Sequence, residues 1–219
     1  MPAAWLAALL LFAQPGEPVD VALDPGHSVA DVGAASSGLP EYVLTLDLAQ
    51  RVRARLEAAG LSVRLTREDD QPLTALLHPG ATEDIQLEQE ARIAAAMPAR
   101  VYVSLHFNGG PAALRGTETY YNPDRAADDW LLADALQRQV VSALGFASVD
   151  RGVRTDLLAG KPYGHFFSLR GPAPSALVES LFLSNPSDAA LLSDDTTLDA
   201  LADGVAQGIL EYLAVVAGD

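Results

Sequence analysis

The sequence predicts a single α/β domain, with a mostly parallel central sheet flanked by helices on both faces. Three observations carry that expectation. Short apolar runs bounded by turn residues alternate with longer stretches of helical periodicity, the pattern of strands joined by helices. Two of those runs, Val19 to Leu23 and Val101 to Leu105, are apolar enough for buried strands. At 219 residues, 49% of them hydrophobic, the chain is long enough to bury one sizeable core.

The elements follow in order. Met1 to Ala13 is apolar and ends at Gln14-Pro15-Gly16. It is shorter than the ~20 residues a bilayer span requires, so no stable membrane span is expected. Its length suits the core of a secretory signal peptide, which makes residues 1–17 an expected export leader to the periplasm or cell envelope. The usual upstream positive charge and a clean small-x-small cleavage site are missing, so a leader packed on the domain, or a start further upstream, stays open. Val19 to Leu23 is the first strand, closed by Pro25-Gly26. A small, Gly-rich loop from Ser28 to Leu39 leads to a helix opened by Pro40-Glu41 and running to about Ala59, with Leu44, Leu48, Val52 and Leu56 on one face.

Leu61 to Thr66 reads as the second strand, Arg67 to Glu83 as a loop, and Asp84 to Met97 as the next helix. The third strand, Val101 to Leu105, is expected to break at His106-Phe107-Asn108-Gly109-Gly110. Gly116 to Tyr121 reads as an edge strand and Asp124 to Ala143 as an amphipathic helix. Arg151 to Arg170 is irregular, with a short strand at Phe166 to Leu169; Ser175 to Leu183 is the last strand, and Leu198 to Val215 a terminal helix.

Composition removes several classes of function. A net charge of −15 without a basic patch argues against nucleic acid and anionic lipid as partners. With no cysteine there is no disulfide, thiolate metal site or cysteine nucleophile, so any metal must be held by His and carboxylate.

Ligands of open α/β sheets bind beyond the carboxyl ends of the strands, and that is where His27, His106 and Glu179 are expected. Glu179 lies between Ala176-Leu177-Val178 and Leu181-Phe182-Leu183, where a carboxylate must be ion-paired, protonated or close to a metal; Arg170 is a candidate partner. Glu41 is explained by its place in a first helical turn, but the loop returning from His27 also brings it to the crevice. Asp24 either orients a ligand or bonds the turn backbone. His78 and His165 read as surface loop residues.

Eight segments in order resemble the zinc-dependent, type 3 N-acetylmuramoyl-L-alanine amidases over roughly Val19 to Tyr212. They are Asp24-Pro25-Gly26-His27, Asp31 to Ala34, Leu39-Pro40-Glu41, Thr66-Arg67, Ser104 to Asn108, Gly116 to Tyr121, Arg151-Gly152-Val153 and Leu177 to Asn185. The resemblance implies a phosphorylase/hydrolase-like fold and a peptidoglycan hydrolase that cuts the amide between N-acetylmuramic acid and the L-alanine of the stem peptide. It implies a zinc amidase catalytic domain over 18–217, with Zn2+ held by His27, Glu41 and His106, and Glu179 as the catalytic carboxylate. Two imidazoles, one carboxylate and a position left for water suit a hydrolytic zinc site. A zinc peptidase or carboxypeptidase on a related fold, or a non-catalytic wall-binding module, is the alternative.

The departures are Ser28 and Leu181 where the family has glycine, and Gly109 where it has alanine; Leu181 is expected to narrow the groove. Gly109 to Asp150 has room for one helix, so no inhibitory plug and no need of an activator are expected. With no wall-binding domain evident and an acidic surface, weak, salt-insensitive retention on peptidoglycan is expected; the oligomeric state is open, with a monomer favoured.

Overall fold

The computed structural model describes residues 16–218 other than 37, 79 and 126; all but the last two residues of the expected leader lie outside the described residues. In chain order the first half comprises β1 (Val19–Pro25), a hairpin of β2 (Ala35–Ser36) and β3 (Leu39–Pro40), α1 (Glu41–Ala58), β4 (Val63–Leu65) and α2 (Thr82–Ala96). The second half comprises β5 (Ala99–Asn108), β6 (Thr117–Tyr121), α3 (Ala127–Leu144), β7 (Asp150–Thr155), β8 (Ser175–Phe182), α4 (Pro186–Leu192) and α5 (Asp195–Ala217). One six-stranded sheet has the order β4-β1-β5-β8-β6-β7. All neighbours in it are parallel except β6 and β8, so the sheet is mostly parallel, as expected.

Side-chain alternation along the strands sorts the core into two faces. Val21, Leu23, Val101, Val103, Leu105, Ala176 and Val178 face the main core with α1, α3 and α5, where the Leu44, Leu48, Val52 and Leu56 stripe is buried. On the other face, Ala22 and Tyr102 meet the α2 side through Ala96, while Tyr120 and Leu177 meet Leu169 and Phe166 of the segment before β8. Asp24, Ser104 and His106 are in phase with Ala22 and Tyr102, and Glu179 with Leu177. The polar side chains thus fall on the thinly covered face. Among the described residues α5 is the one helix long and apolar enough to cross a bilayer, and half of that stretch is buried in the protein.

The structure departs from the sequence-based expectations at several elements. β5 continues through His106 to Asn108, because β8 pairs alongside it, with His106 opposite Glu179 and Asn108 opposite Phe182. β6 is an inner strand; the edge is β7, whose Arg151-Gly152 stretch carries no strand-like apolar run and is ordered by pairing with β6. Phe167–Leu169 is a 3-10 turn, not a strand. The short α4 was not expected, although Asn185 caps it and Pro186 opens it.

Between His106 and Asn108 the β5/β8 register slips, so Glu179 and Leu181 no longer share a face. Leu181 is fully buried in the main core and does not narrow the groove.

Candidate metal centre and active-site groove

The turn after β1 presents His27, and its shape is held by a network of carbonyl acceptors. The Pro25 carbonyl accepts from Arg67 Nε (3.0 Å) and Arg92 Nη1 (2.7 Å). Thr45 Oγ1 (2.7 Å) and Arg67 Nη2 (3.1 Å) donate to the Gly26 carbonyl, and Arg92 Nη2 donates to that of His27 (2.7 Å). These bonds hold His27 at φ 62°, a left-handed conformation that is strained for a residue with a Cβ.

Asp24 bonds neither a candidate ligand nor the turn backbone directly. Its fully buried carboxylate accepts from Thr66 Oγ1 (2.6 Å), Ser104 Oγ (2.8 Å) and Arg92 Nη1 (3.1 Å), and so acts on the turn only through Arg92. Burial would raise its pKa, but the Arg92 guanidinium and the hydroxyls hold it below the usual carboxylate range. Glu88 also binds Arg92, at 2.8 Å.

Three of the four candidate residues meet at this turn. One ligand atom from each of His27, Glu41 and His106 lies within 4.8 Å of the others. Glu41, first residue of α1, places Oε1 3.0 Å from His106 Nδ1 and Oε2 3.3 Å from His27 Nε2. Its oxygens also accept from the backbone N–H of Phe107 (2.9 Å) and Ala34 (2.7 Å), which fixes the carboxylate plane. His27 Nδ1 lies 3.2 Å from Asp31 Oδ2, the outer carboxylate contact that orients metal-binding imidazoles. Burial opposes charge on His27, yet Glu41 and Asp31 push its pKa up to about 10. Two glycines make room for the set. A Cβ at Gly26 would enter the His106 ring, and one at Gly33 would strike Glu41 Oε2 and His27.

On β8, Glu179 stands opposite His106 of β5 and Glu118 of β6. Its Oε2 is buried without a hydrogen-bond partner, and burial, then the Glu41 charge, raises its pKa well above the usual range. Arg170, the candidate partner, instead donates to the carbonyls of Tyr163 and His165, 2.8 Å each. Glu118 is fully engaged: Oε1 accepts from Asn108 Nδ2 and Tyr120 Oη (2.8 Å each), and Oε2 accepts from Arg151 (2.8 Å) and is ion-paired with Arg154 at 3.0 Å.

A groove of about 220 Å³ runs over these groups; its lining includes His27, Asp31, His106 and Glu179 together with Lys161, Tyr163 and Phe166. His78 is exposed, as expected. His165 is on a loop but is held between Asp156 (2.8 Å) and Asp124 (3.1 Å). The sequence singled out neither Arg92 nor Lys161, and gave Asp31, Arg67 and Glu118 no role. The last three do lie within the segments that carry the resemblance.

The arrangement suits metal-assisted hydrolysis: a two-imidazole, one-carboxylate donor set faces a groove beside one unpartnered carboxylate. Comparison with known proteins points to amidases. A family model described as N-acetylmuramoyl-L-alanine amidase matches residues 21–211. The germination-specific N-acetylmuramoyl-L-alanine amidase of Bacillus subtilis (strain 168) is 32% identical, over 87% of this chain and 78% of its own. N-acetylmuramoyl-L-alanine amidase LytC of the same organism is also 32% identical over 87% of this chain, which spans only 34% of LytC. Among solved structures, the catalytic domain of the amidase CwlV from Bacillus (Paenibacillus) polymyxa var. colistinus aligns with a TM-score of 0.73 and 32% identity, over 90% of this chain and 99% of that domain.

Proposed function

This chain belongs to the N-acetylmuramoyl-L-alanine amidase family of peptidoglycan amidases, and from that premise we propose that it cleaves the amide between N-acetylmuramic acid and the stem-peptide L-alanine with zinc-activated water. In this reading His27, Glu41 and His106 hold Zn2+ and Glu179 is the catalytic carboxylate. The donor chemistry fits: two imidazoles and one carboxylate converge, and no thiolate competes.

Zinc bound there would polarise the scissile carbonyl, acidify a water and favour the ionised form of Glu179. The chain's own residues do the rest. Asp31 fixes the His27 ring, and the Ala34 and Phe107 N–H groups fix Glu41, so the site is set before substrate arrives. Glu179, with Oε2 free of competing donors, takes a proton from water and passes it to the leaving amine of alanine. That orphaned oxygen, in the same groove as the His-Glu-His set, is the observation that carries the reading.

We further propose that residues 18–217 are the catalytic domain, that residues 1–17 direct export to the cell envelope, and that the protein acts as a monomer without an activator. In keeping with the last point, α3, the helix between Gly109 and Asp150, packs on α5. The Glu179→Gln protein tests the mechanism by zinc content, melting temperature and turnover on one sample. Zinc should stay bound, the fold should be at least as stable, and kcat should fall ~10²–10⁴-fold, roughly 3–5 kcal/mol of transition-state stabilisation. Loss of zinc with activity would make Glu179 a ligand, and near-normal turnover would make it structural.

A further inference from the structure

The loop between the two 3-10 turns Asp156–Ala159 and Phe167–Leu169 lines the same groove as the candidate metal centre, and it carries the only lysine of the sequence, Lys161. The loop is anchored at both ends. Buried Asp156 binds His165 Nδ1 (2.8 Å) and the Phe166 N–H (3.0 Å), while Arg170 donates to two loop carbonyls and lies over the Phe167 ring at 4.4 Å. Tyr163 stacks on Phe167 at 4.3 Å between ring centroids. Lys161 is therefore presented on an ordered rim, with its Nζ 6.0 Å from the Phe166 ring centroid.

Its charge is the one without an oxygen partner; it lies over the Phe166 ring and acts on Glu179 only at a distance. Each of the thirteen arginines has an oxygen partner: carboxylates for most, and carbonyls for Arg64, Arg67 and Arg170. Lys161 is exposed and has no hydrogen bond or ion pair among the described residues. Arg92, the other long cation in the groove, is spent on Asp24, Glu88 and the turn carbonyls. Outside the candidate metal centre itself, the remaining charged walls, Asp31 and Glu179 with the Glu88–Arg92 pair, offer nothing to an anion. In a chain of net charge −15 such a groove repels an acidic substrate unless a cation is kept for it.

The chemistry of the substrate says which anion that is. The lactyl carboxyl of the muramoyl group is consumed in the scissile amide and the N-acetyl group is neutral, so the carboxylates of the repeating unit belong to the stem peptide. We propose that Lys161 is a specificity-determining residue that binds a free carboxylate of the stem peptide, with Tyr163 and Phe166 as the apolar floor beside it. The inference rests on the amidase reading above and adds to it a preference between peptides that differ only in amidation.

The test uses the zinc-loaded full chain and N-acetylmuramoyl tetrapeptides in three forms: all carboxylates free, the α-carboxylate of the second residue amidated, and the terminal carboxylate amidated. Wild-type kcat/KM should fall about fivefold on one of the two amidated forms, mainly through KM, which identifies the carboxylate bound. Lys161→Met should show the same loss on the free form and no discrimination among the three, Lys161→Glu a larger loss, and Lys161→Arg recovery. Equal wild-type rates on all three forms would overturn the proposal. So would a Lys161→Met loss of the same size on every form, which would mean that Lys161 acts on Glu179 and not on the substrate. Failure of the wild type to cleave any form would overturn the amidase reading itself, and this inference with it.

Discussion

Gly33 shows how closely the site depends on single residues. It lies at φ +69°, and a Cβ there would strike both Glu41 Oε2 and His27. Gly33→Ala therefore adds left-handed strain of ~1–2 kcal/mol and a clash with two of the three proposed zinc ligands. The expected result is a protein that folds, with a melting temperature lowered by a few degrees, but that loses most of its zinc affinity, read by metal analysis after dialysis. Retention of stoichiometric zinc would show that the ligands can shift to accept the methyl group.

At the scale of elements, the main helical layer is held together by a close approach of two of its helices. Gly208 of α5 faces α3 so tightly that a Cβ would lie 2.7 Å from Leu136 Cα, and one at Gly204 would lie 2.7 Å from Val140 Cα. Alanine is the better helix former by about 1 kcal/mol, so an isolated helix would gain from Gly208→Ala. Here the backbone of α3 must move, and overpacking of this kind costs ~1–3 kcal/mol. The net expectation is a destabilisation of up to about 2 kcal/mol by denaturant titration with the zinc site intact; a stabilised variant would mean that α3 and α5 are less rigidly packed.

For the whole molecule, charge is the dominant feature. Twenty-nine acidic residues face fourteen basic ones, and His165 ties two segments together by lying between Asp156, ahead of the groove wall, and Asp124, ahead of α3. The Asp156 hydrogen bond, with that of Asp124, raises the pKa of His165 above its ordinary 6.5. A raised histidine stabilises the fold in its protonated form. Its contribution is fully present below the unfolded value near 6.5 and is lost as pH rises through the higher folded value. Melting curves of wild type and His165→Gln should therefore be furthest apart at about pH 5.5–6 and converge as the solution becomes alkaline; a gap independent of pH would make the contact one of packing alone.

Local chemistry determined much of this protein in its sequence. Runs such as Val101 to Leu105 cannot be solvated without cost, and the Leu44, Leu48, Val52, Leu56 stripe suits one helix face, so the main strands and helices were legible from periodicity. His27, Glu41, His106 and Glu179 were legible because strand ends and a helix start place them on one side of the sheet, and the eight ordered segments reinforced that. What the tertiary structure decided is what depends on partners distant in sequence. β7 is a strand only because β6 pairs with it, and Leu181 turns into the core only because β5 and β8 slip in register beside Glu179. Arg92 lies 68 residues from Asp24 and clamps the His27 turn, a role no local pattern announces. The isolation of Lys161 is of the same kind: a residue is left without a partner only after all the others have found theirs.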